Sequence, residues 1–349
     1  MTRHRDLGRP FDQRGVTLVE LMVALVLGLV VSGAALALFM TNKQVYMTSE
    51  NLDRVQETSR TAFELMARDL REANGNPCSK DIELSNGLKN ATNYWWGKWG
   101  FDSTPADLGD GLHGYTGTVA FADAPFGTGA GDRVPGTPAV EVWNAVPTDI
   151  VLTAQMADTK AALTVTTTTG KVAANDILVI CDYNHGAIFQ ATKVTANSIE
   201  HAASGTPGNA TTDLPPSVFG PDPGSSDPNA QVRYAYISKM HASRWYIGYS
   251  GRVDSAGNKL TSLYRTSFTG TGIAPTPDEI AEGVVGMTLT YHVDGASDYV
   301  DPAVTPVDWA KVDAMQIGLS LASRDKVGTD KQTLNRDYDH VVAIRSRAQ

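Results

Sequence analysis

An α+β fold is what this chain predicts: a long N-terminal helix, transmembrane in its first half and amphipathic in its second, followed by a mainly antiparallel β-sheet domain. Two observations carry the prediction. No proline occurs between Val16 and Arg71, and an apolar run from Val16 to Met40 passes into apolar residues at helical spacing. From Ala139 onward, short alternating runs bounded by turn residues succeed one another to the C-terminus, which is the pattern of antiparallel sheet.

At about 1.5 Å per residue, residues 16–40 reach about 37 Å as a helix, more than a hydrocarbon core of about 30 Å, and residues 16–71 allow one helix of about 84 Å. In the second half Val45, Leu52, Val55, Ala62, Met66 and Leu70 recur three, four or seven residues apart, and Glu64 and Arg68 stand at i,i+4 for an ion pair. Asn74-Gly75-Asn76-Pro77 then offers a left-handed cap followed by a residue that cannot continue the helix. Before the apolar run, Arg3, Arg5, Arg9 and Arg14 outnumber Asp6 and Asp12, which places the N-terminus in the cytoplasm and the bulk of the chain across the membrane.

With 349 residues, 42% of them hydrophobic and 19% charged, the composition is globular and leaves room for one large or two small domains behind the membrane segment. The formal net charge of −9 gives no general attraction for nucleic acid or anionic lipid. Tyr94-Trp95-Trp96-Gly97-Lys98-Trp99-Gly100-Phe101 concentrates aromatic residues and reads as core or a loop packed under the sheet, with a partner-binding surface as the alternative. Asp102–Pro138, rich in Gly, Pro, Asp and Thr, reads as irregular. Strands are expected at 139–143, 149–153, 163–168, 177–181, 187–194, 232–237, 244–249, 260–266, 284–293, 315–321 and 341–344. Ser204–Ala230, with Pro215-Pro216 and Gly220-Pro221-Asp222-Pro223-Gly224, is expected to be a mobile surface loop. Cys78 and Cys181 are the only cysteines, and in an oxidising compartment such as the periplasm they are expected to be bonded; the alternative is two unrelated thiols.

One charge, Glu20, stands inside the apolar run. An ionised side chain there costs at least about 2.5–3.5 kcal/mol unless it finds a partner. Together with the basic leader, Gly15-Val16-Thr17-Leu18-Val19-Glu20 resembles the class III signal of type IV prepilins. That resemblance implies cleavage by prepilin peptidase between Gly15 and Val16, N-methylation of Val16, and pairing of Glu20 with the amino terminus of a neighbouring subunit in low dielectric. Val16 stands where the family more often has Phe. A secretory signal peptide cut after Ala35-Leu36-Ala37 and a plain membrane anchor are the competing readings. The apolar run is longer than the first allows, and the second explains neither Glu20 nor Gly15. The implied division is a leader, 1–15, a transmembrane half-helix, 16–40, an amphipathic half-helix, 41–73, and a periplasmic strand-rich domain, 74–349, carrying the mobile loop 204–230.

Further along, Asp176–Tyr183, Gly186–Gln190, Tyr246-Ile247-Gly248, Leu263-Tyr264-Arg265, Glu282-Gly283-Val284, Tyr291-His292-Val293-Asp294 and Val341–Ser346 occur in the order seen in PilW-type minor pilins, and J-type minor pseudopilins of type II secretion are similar. The resemblance implies a non-catalytic subunit of a priming complex that starts pilus assembly near the tip. Its implied partners are other minor pilins, the major pilin, a tip adhesin and the inner membrane. No cofactor is implied.

Nothing in the chain opens a catalytic argument. His4, His113, His185, His201, His241, His292 and His340 are scattered without metal-ligand spacing, and there is no GxSxG elbow, P-loop or helix-opening GxGxxG. Asp294, Asp298 and Asp301 gather carboxylates in one turn, off the EF-hand spacing, so a solvated loop is preferred to a calcium site. Arg324, Lys326, Lys331, Arg336, Arg345 and Arg347 could form a basic strip for DNA or a surface, but Asp325, Asp330, Asp337 and Asp339 are interleaved with them, and nucleic-acid binding is not expected.

Overall fold

A computed structural model describes residues 15–78, 82–100, 111–215, 218–220, 234–254, 256–328 and 332–347. Helix α1 runs unbroken from Leu18 to Arg71, 54 residues or about 81 Å at the α-helical rise. Leu18–Tyr46 is exposed on every face. Burial begins at Asn51 and follows one stripe, Val55, Ala62, Phe63, Met66, Ala67 and Leu70. These positions join Trp245, Ile247 and Leu263 from one sheet and Met287, Leu289, Met315, Ile317, Leu319 and Leu321 from another in one core. Each large side chain in it contributes about 1.5–3 kcal/mol through removal from water.

Two expectations for the helix are corrected, and a third, the left-handed cap within Asn74-Gly75-Asn76-Pro77, is met. Val45 is 60% exposed, because the domain first touches α1 at Gln44 and Thr48, whose side chains donate to Val327 O at 3.0 and 3.1 Å. Glu64 pairs backward with Arg60, at 2.8 Å, instead of forward with Arg68. The left-handed residue after the helix is Asn74, φ 56°, whose amide oxygen accepts the Trp99 indole N–H at 3.2 Å.

Strands β1 (Glu83–Asn86), β2 (Leu112–Tyr115), β3 (Ala139–Val151), β5 (Ile177–Cys181), β6 (His185–Gln190), β9 (Tyr236–Val253), β10 (Lys259–Phe268) and β11 (Pro277–Glu282) form an eight-stranded sheet. β9 is its axis. It pairs with β3 along Tyr236–Tyr246. Its opposite edge takes β5 along Tyr236–Lys239 and then β10 along Ala242–Val253. All pairs are antiparallel except β1 with β6. Strands β4 (Leu163–Thr164), β7 (Lys193–Thr195) and β8 (Ser198–Glu200) make a small sheet ordered β4-β8-β7. Strands β12 (Val284–Val293), β13 (Tyr299–Val300), β14 (Val312–Ala322) and β15 (Asn335–Ala343) make a third, ordered β13-β12-β14-β15. The chain passes from the first sheet to the third at Gly283, φ 79°, which donates to Thr261 O and accepts from Ala322 N. A Cβ there would lie 2.7 Å from Ala322 O, so the crossing needs glycine.

The sequence runs at 139–143 and 149–153 are one strand, continued through a bulge between Pro147 and Ile150. The run at 244–249 belongs to the longer β9, while Val232 lies outside the described residues. The run at 163–168 shrinks to two residues and that at 187–194 divides into β6 and β7. Asp102–Pro138 is not wholly irregular, since β2 falls inside it; residues 102–110 lie outside the described residues. The aromatic stretch is core: Trp96 is fully buried, stacked on Phe268 at 3.9 Å and Tyr94 at 4.9 Å, and Trp99 is 2% exposed. Phe101 lies outside the described residues.

The loop expected to be mobile packs tightly where it is described. Leu214 and Phe219 enter a second core with Ile150, Leu178, Ile180, Phe189 and Ile199, while the Asn209 side chain bonds to both backbone groups of Gln190. Residues 216–217 and 221–230 lie outside the described residues. Cys78 and Cys181 are bonded, with Cα atoms 6.0 Å apart, tying the segment that leaves α1 to the end of β5.

Candidate assembly site at the helix N-terminus

Thr17 is the N-cap of α1, in extended conformation at φ −75°, ψ 152°. The first turn of any helix leaves backbone N–H groups without partners, and here a reciprocal pair satisfies two of them. Glu20 N donates to Thr17 Oγ1 at 3.2 Å, and Thr17 N donates to Glu20 Oε2 at 3.1 Å. The Thr17 hydroxyl donates to the same Oε2, at 3.1 Å. All three contacts leave Glu20 Oε1 open to solvent or a partner.

Gly15 and Val16 precede the helix. Nothing lies within 4 Å of a Cβ placed on Gly15, and Val16 is 73% exposed. The Gly15–Val16 peptide bond is therefore accessible, two residues before Leu18 begins the helix. The sequence motif contains Thr17 without giving it a role, although its spacing to Glu20 is the capping-box pattern before an apolar run. Helix α1 is long and apolar enough to cross a membrane, and none of its most apolar stretch is buried within the protein.

The other candidates are placed differently. Among the described residues no three His, Cys, Asp or Glu side chains converge as a metal site. Asp301 accepts the backbone N–H of Ala303 at 2.8 Å and Asp298 accepts the Ser297 hydroxyl at 2.9 Å, local contacts of a polar turn. The basic strip is broken, because Arg347 turns inward to donate to Trp309 O and to Val312 O, the latter at 2.8 Å. Asp337 accepts from Ser320 at 2.6 Å, and Lys331 and Asp330 lie outside the described residues, as do His4 and the leader arginines.

Residues 11–36 match the family model for the prokaryotic N-terminal methylation motif, and residues 249–345 match that for type IV pilus-assembly protein W. No curated protein and no solved structure matches the chain. The first match holds Gly15, Val16, Thr17 and Glu20, and the second runs from the end of β9 through β15. One match at each end, joined by an apolar helix and an antiparallel domain, makes the chain similar to minor pilins of the PilW type.

Proposed function

We propose that this chain is a non-catalytic subunit of the complex that primes type IV pilus assembly and remains near the pilus tip. Prepilin peptidase cuts between Gly15 and Val16, Val16 is N-methylated, and the domain from residue 74 onward lies in the periplasm. Other minor pilins, the major pilin and a tip adhesin are its partners. The observation that carries this reading is the helix itself: from Leu18 to Tyr46 it buries nothing within its own chain, so its apolar surface requires lipid or other helices. At its tip the carboxylate of Glu20 keeps Oε1 open, suited to the amine of an adjacent subunit. The match to the pilus-assembly family supports a pilus over a type II secretion pseudopilus.

The test is mass analysis of the N-terminus of the full-length chain from membranes, with co-purification of other pilins. A methylated Val16 start is expected, and Gly15→Val should accumulate precursor. A start at Leu38 would support a secretory signal peptide, and an intact Met1 or Thr2 a plain anchor.

A further inference from the structure

Helix α1 ends at Arg71, where the backbone is joined to the C-terminal segment: Arg345 N donates to Arg71 O at 3.2 Å and the Ser346 hydroxyl donates to Ala73 O at 2.6 Å. The segment leaving the helix is joined in turn to β3, through Asn74 N to Trp143 O at 2.8 Å and Ala145 N to Gly75 O at 2.7 Å. Between these seams lies an open groove of about 490 Å³. Because it sits at the C-terminal end of α1, it lies at the opposite end of the helix from the exposed apolar half.

The groove is cationic. Arg71 and Arg345 line it, both exposed, and among the described residues neither guanidinium has an ion-pair partner. Their backbones are hydrogen-bonded, so two like charges are held as neighbours in a chain whose net charge is −9. The carboxylate in the lining, Glu72, is engaged by Asn144 Nδ2 at 3.2 Å. Asn76 adds a polar wall, and Val146, 43% exposed, adds an apolar one.

We propose that this groove docks an extended acidic segment of a neighbouring pilin subunit, one carboxylate bridging Arg71 and Arg345 and an adjacent apolar side chain resting on Val146. The inference rests on the minor-pilin reading, which puts another subunit on the membrane-distal side. Two guanidinium groups flanking one carboxylate form charge-assisted bonds and set the direction of the docked segment.

The test uses the full-length chain in cells with a photo-crosslinking amino acid at Val146. A light-dependent adduct with another pilin is expected, mapping by mass spectrometry to an acidic stretch of that pilin. Replacing both arginines, Arg71→Gln with Arg345→Gln or Arg71→Glu with Arg345→Glu, should cut the adduct about tenfold or more, while Arg71→Lys with Arg345→Lys should retain most of it. Protease resistance of the domain checks folding, and the glutamine pair decides if the glutamate pair fails that check. An adduct undiminished in the glutamine pair, an adduct only with lipid or a second copy of this chain, or no adduct while other pilins still co-purify overturns the groove assignment and leaves the pilin reading intact. Failure to co-purify with any pilin overturns both.

Discussion

Asp69, in the last turn of α1, is bound to Arg265 on β10: the arginine Nη2 donates to Asp69 Oδ1 at 2.9 Å, and its Nε lies 2.8 Å from Oδ2. The Trp245 indole N–H donates to that same Oδ2 at 3.0 Å. Asp69 is 5% exposed and Trp245 fully buried. One carboxylate therefore fixes both the rotation and the height of the helix against the eight-stranded sheet, something the apolar stripe alone, being non-directional, does not do.

Removing that carboxylate leaves an arginine and an indole donor without partners in a largely dry site. Asp69→Ala is expected to cost about 3–5 kcal/mol, toward the lower figure because the Arg265 side chain keeps 17% exposure. Asp69→Leu with Arg265→Met, which removes both charges, should cost less than the single change. Denaturant midpoints of the full-length chain in detergent compare them, and a double variant weaker than Asp69→Ala would show that the pair itself is not the source of the loss.

The Cys78–Cys181 bond closes a separation of 103 residues. In the chain-entropy account a loop of about 100 residues gives about 4.7 kcal/mol, and removing a native bond of this kind typically costs about 2–5 kcal/mol. Cys181→Ser should therefore lower stability by that amount and leave Cys78 as a titratable thiol. Thiol counting before and after reduction, with melting in both states, checks it; two free thiols in freshly isolated protein would contradict the bond.

Two histidines should respond to pH with opposite signs. His292 directs Nδ1 to Asp313 Oδ1 at 2.6 Å and Nε2 to Ala296 O at 3.0 Å, so only the protonated ring satisfies both acceptors, and the hydrogen bond to Asp313 raises its pKa. Its contribution is fully present below the unfolded value of about 6.5 and is lost as pH rises through the folded value. Burial lowers the pKa of His241, so its site favours folding above about pH 6.5 and loses stability as pH falls toward the folded value. Hydrogen exchange in the turn after β12, corrected for intrinsic rates, should show protection falling with rising pH, and His292→Asn should abolish that dependence.

The helix and its processing motif are legible in the residues because both depend on local patterns: an apolar run, a lone carboxylate and a small residue before it. The strand at 284–293 is legible for the same reason, since Met287, Leu289 and Tyr291 alternate with Thr288 and Thr290 and turn residues bound it. What escapes is set by distant contacts. Strands β1 and β2 are short and weakly patterned, and they exist because β6 and β3 offer them free edges. Leu214 and Phe219 look like isolated apolar residues in a Pro- and Gly-rich loop until the Ile150 core closes over them. Asp69 carries no local sign of its partner, 196 residues away at Arg265. Thr17 is the exception, a local cap that the charge at Glu20 overshadows.

At Glu20 the helix cap and the proposed assembly contact would make different demands on one side chain. As a cap it needs only an acceptor for Thr17 N, which glutamine also supplies; as a counter-charge for a neighbour's amine it needs the negative charge. Glu20→Leu removes both functions, yet it also removes a charge that is costly in lipid, so membrane insertion and cleavage at Gly15 should remain intact. Glu20→Gln keeps the cap and loses the charge, while Thr17→Val keeps the charge and loses the hydroxyl at a cost of about 0.5–2 kcal/mol in the cap. If pairing between subunits governs assembly, the leucine and glutamine variants should be similarly defective in co-purifying with other minor pilins and in counts of surface pili, and Thr17→Val should be nearly normal. If the cap governs, Thr17→Val should match Glu20→Leu and the glutamine variant should assemble. Normal complexes and normal piliation with Glu20→Leu, at matched protein levels, would remove the assembly role proposed for this carboxylate while leaving the proposed cleavage after Gly15 untouched.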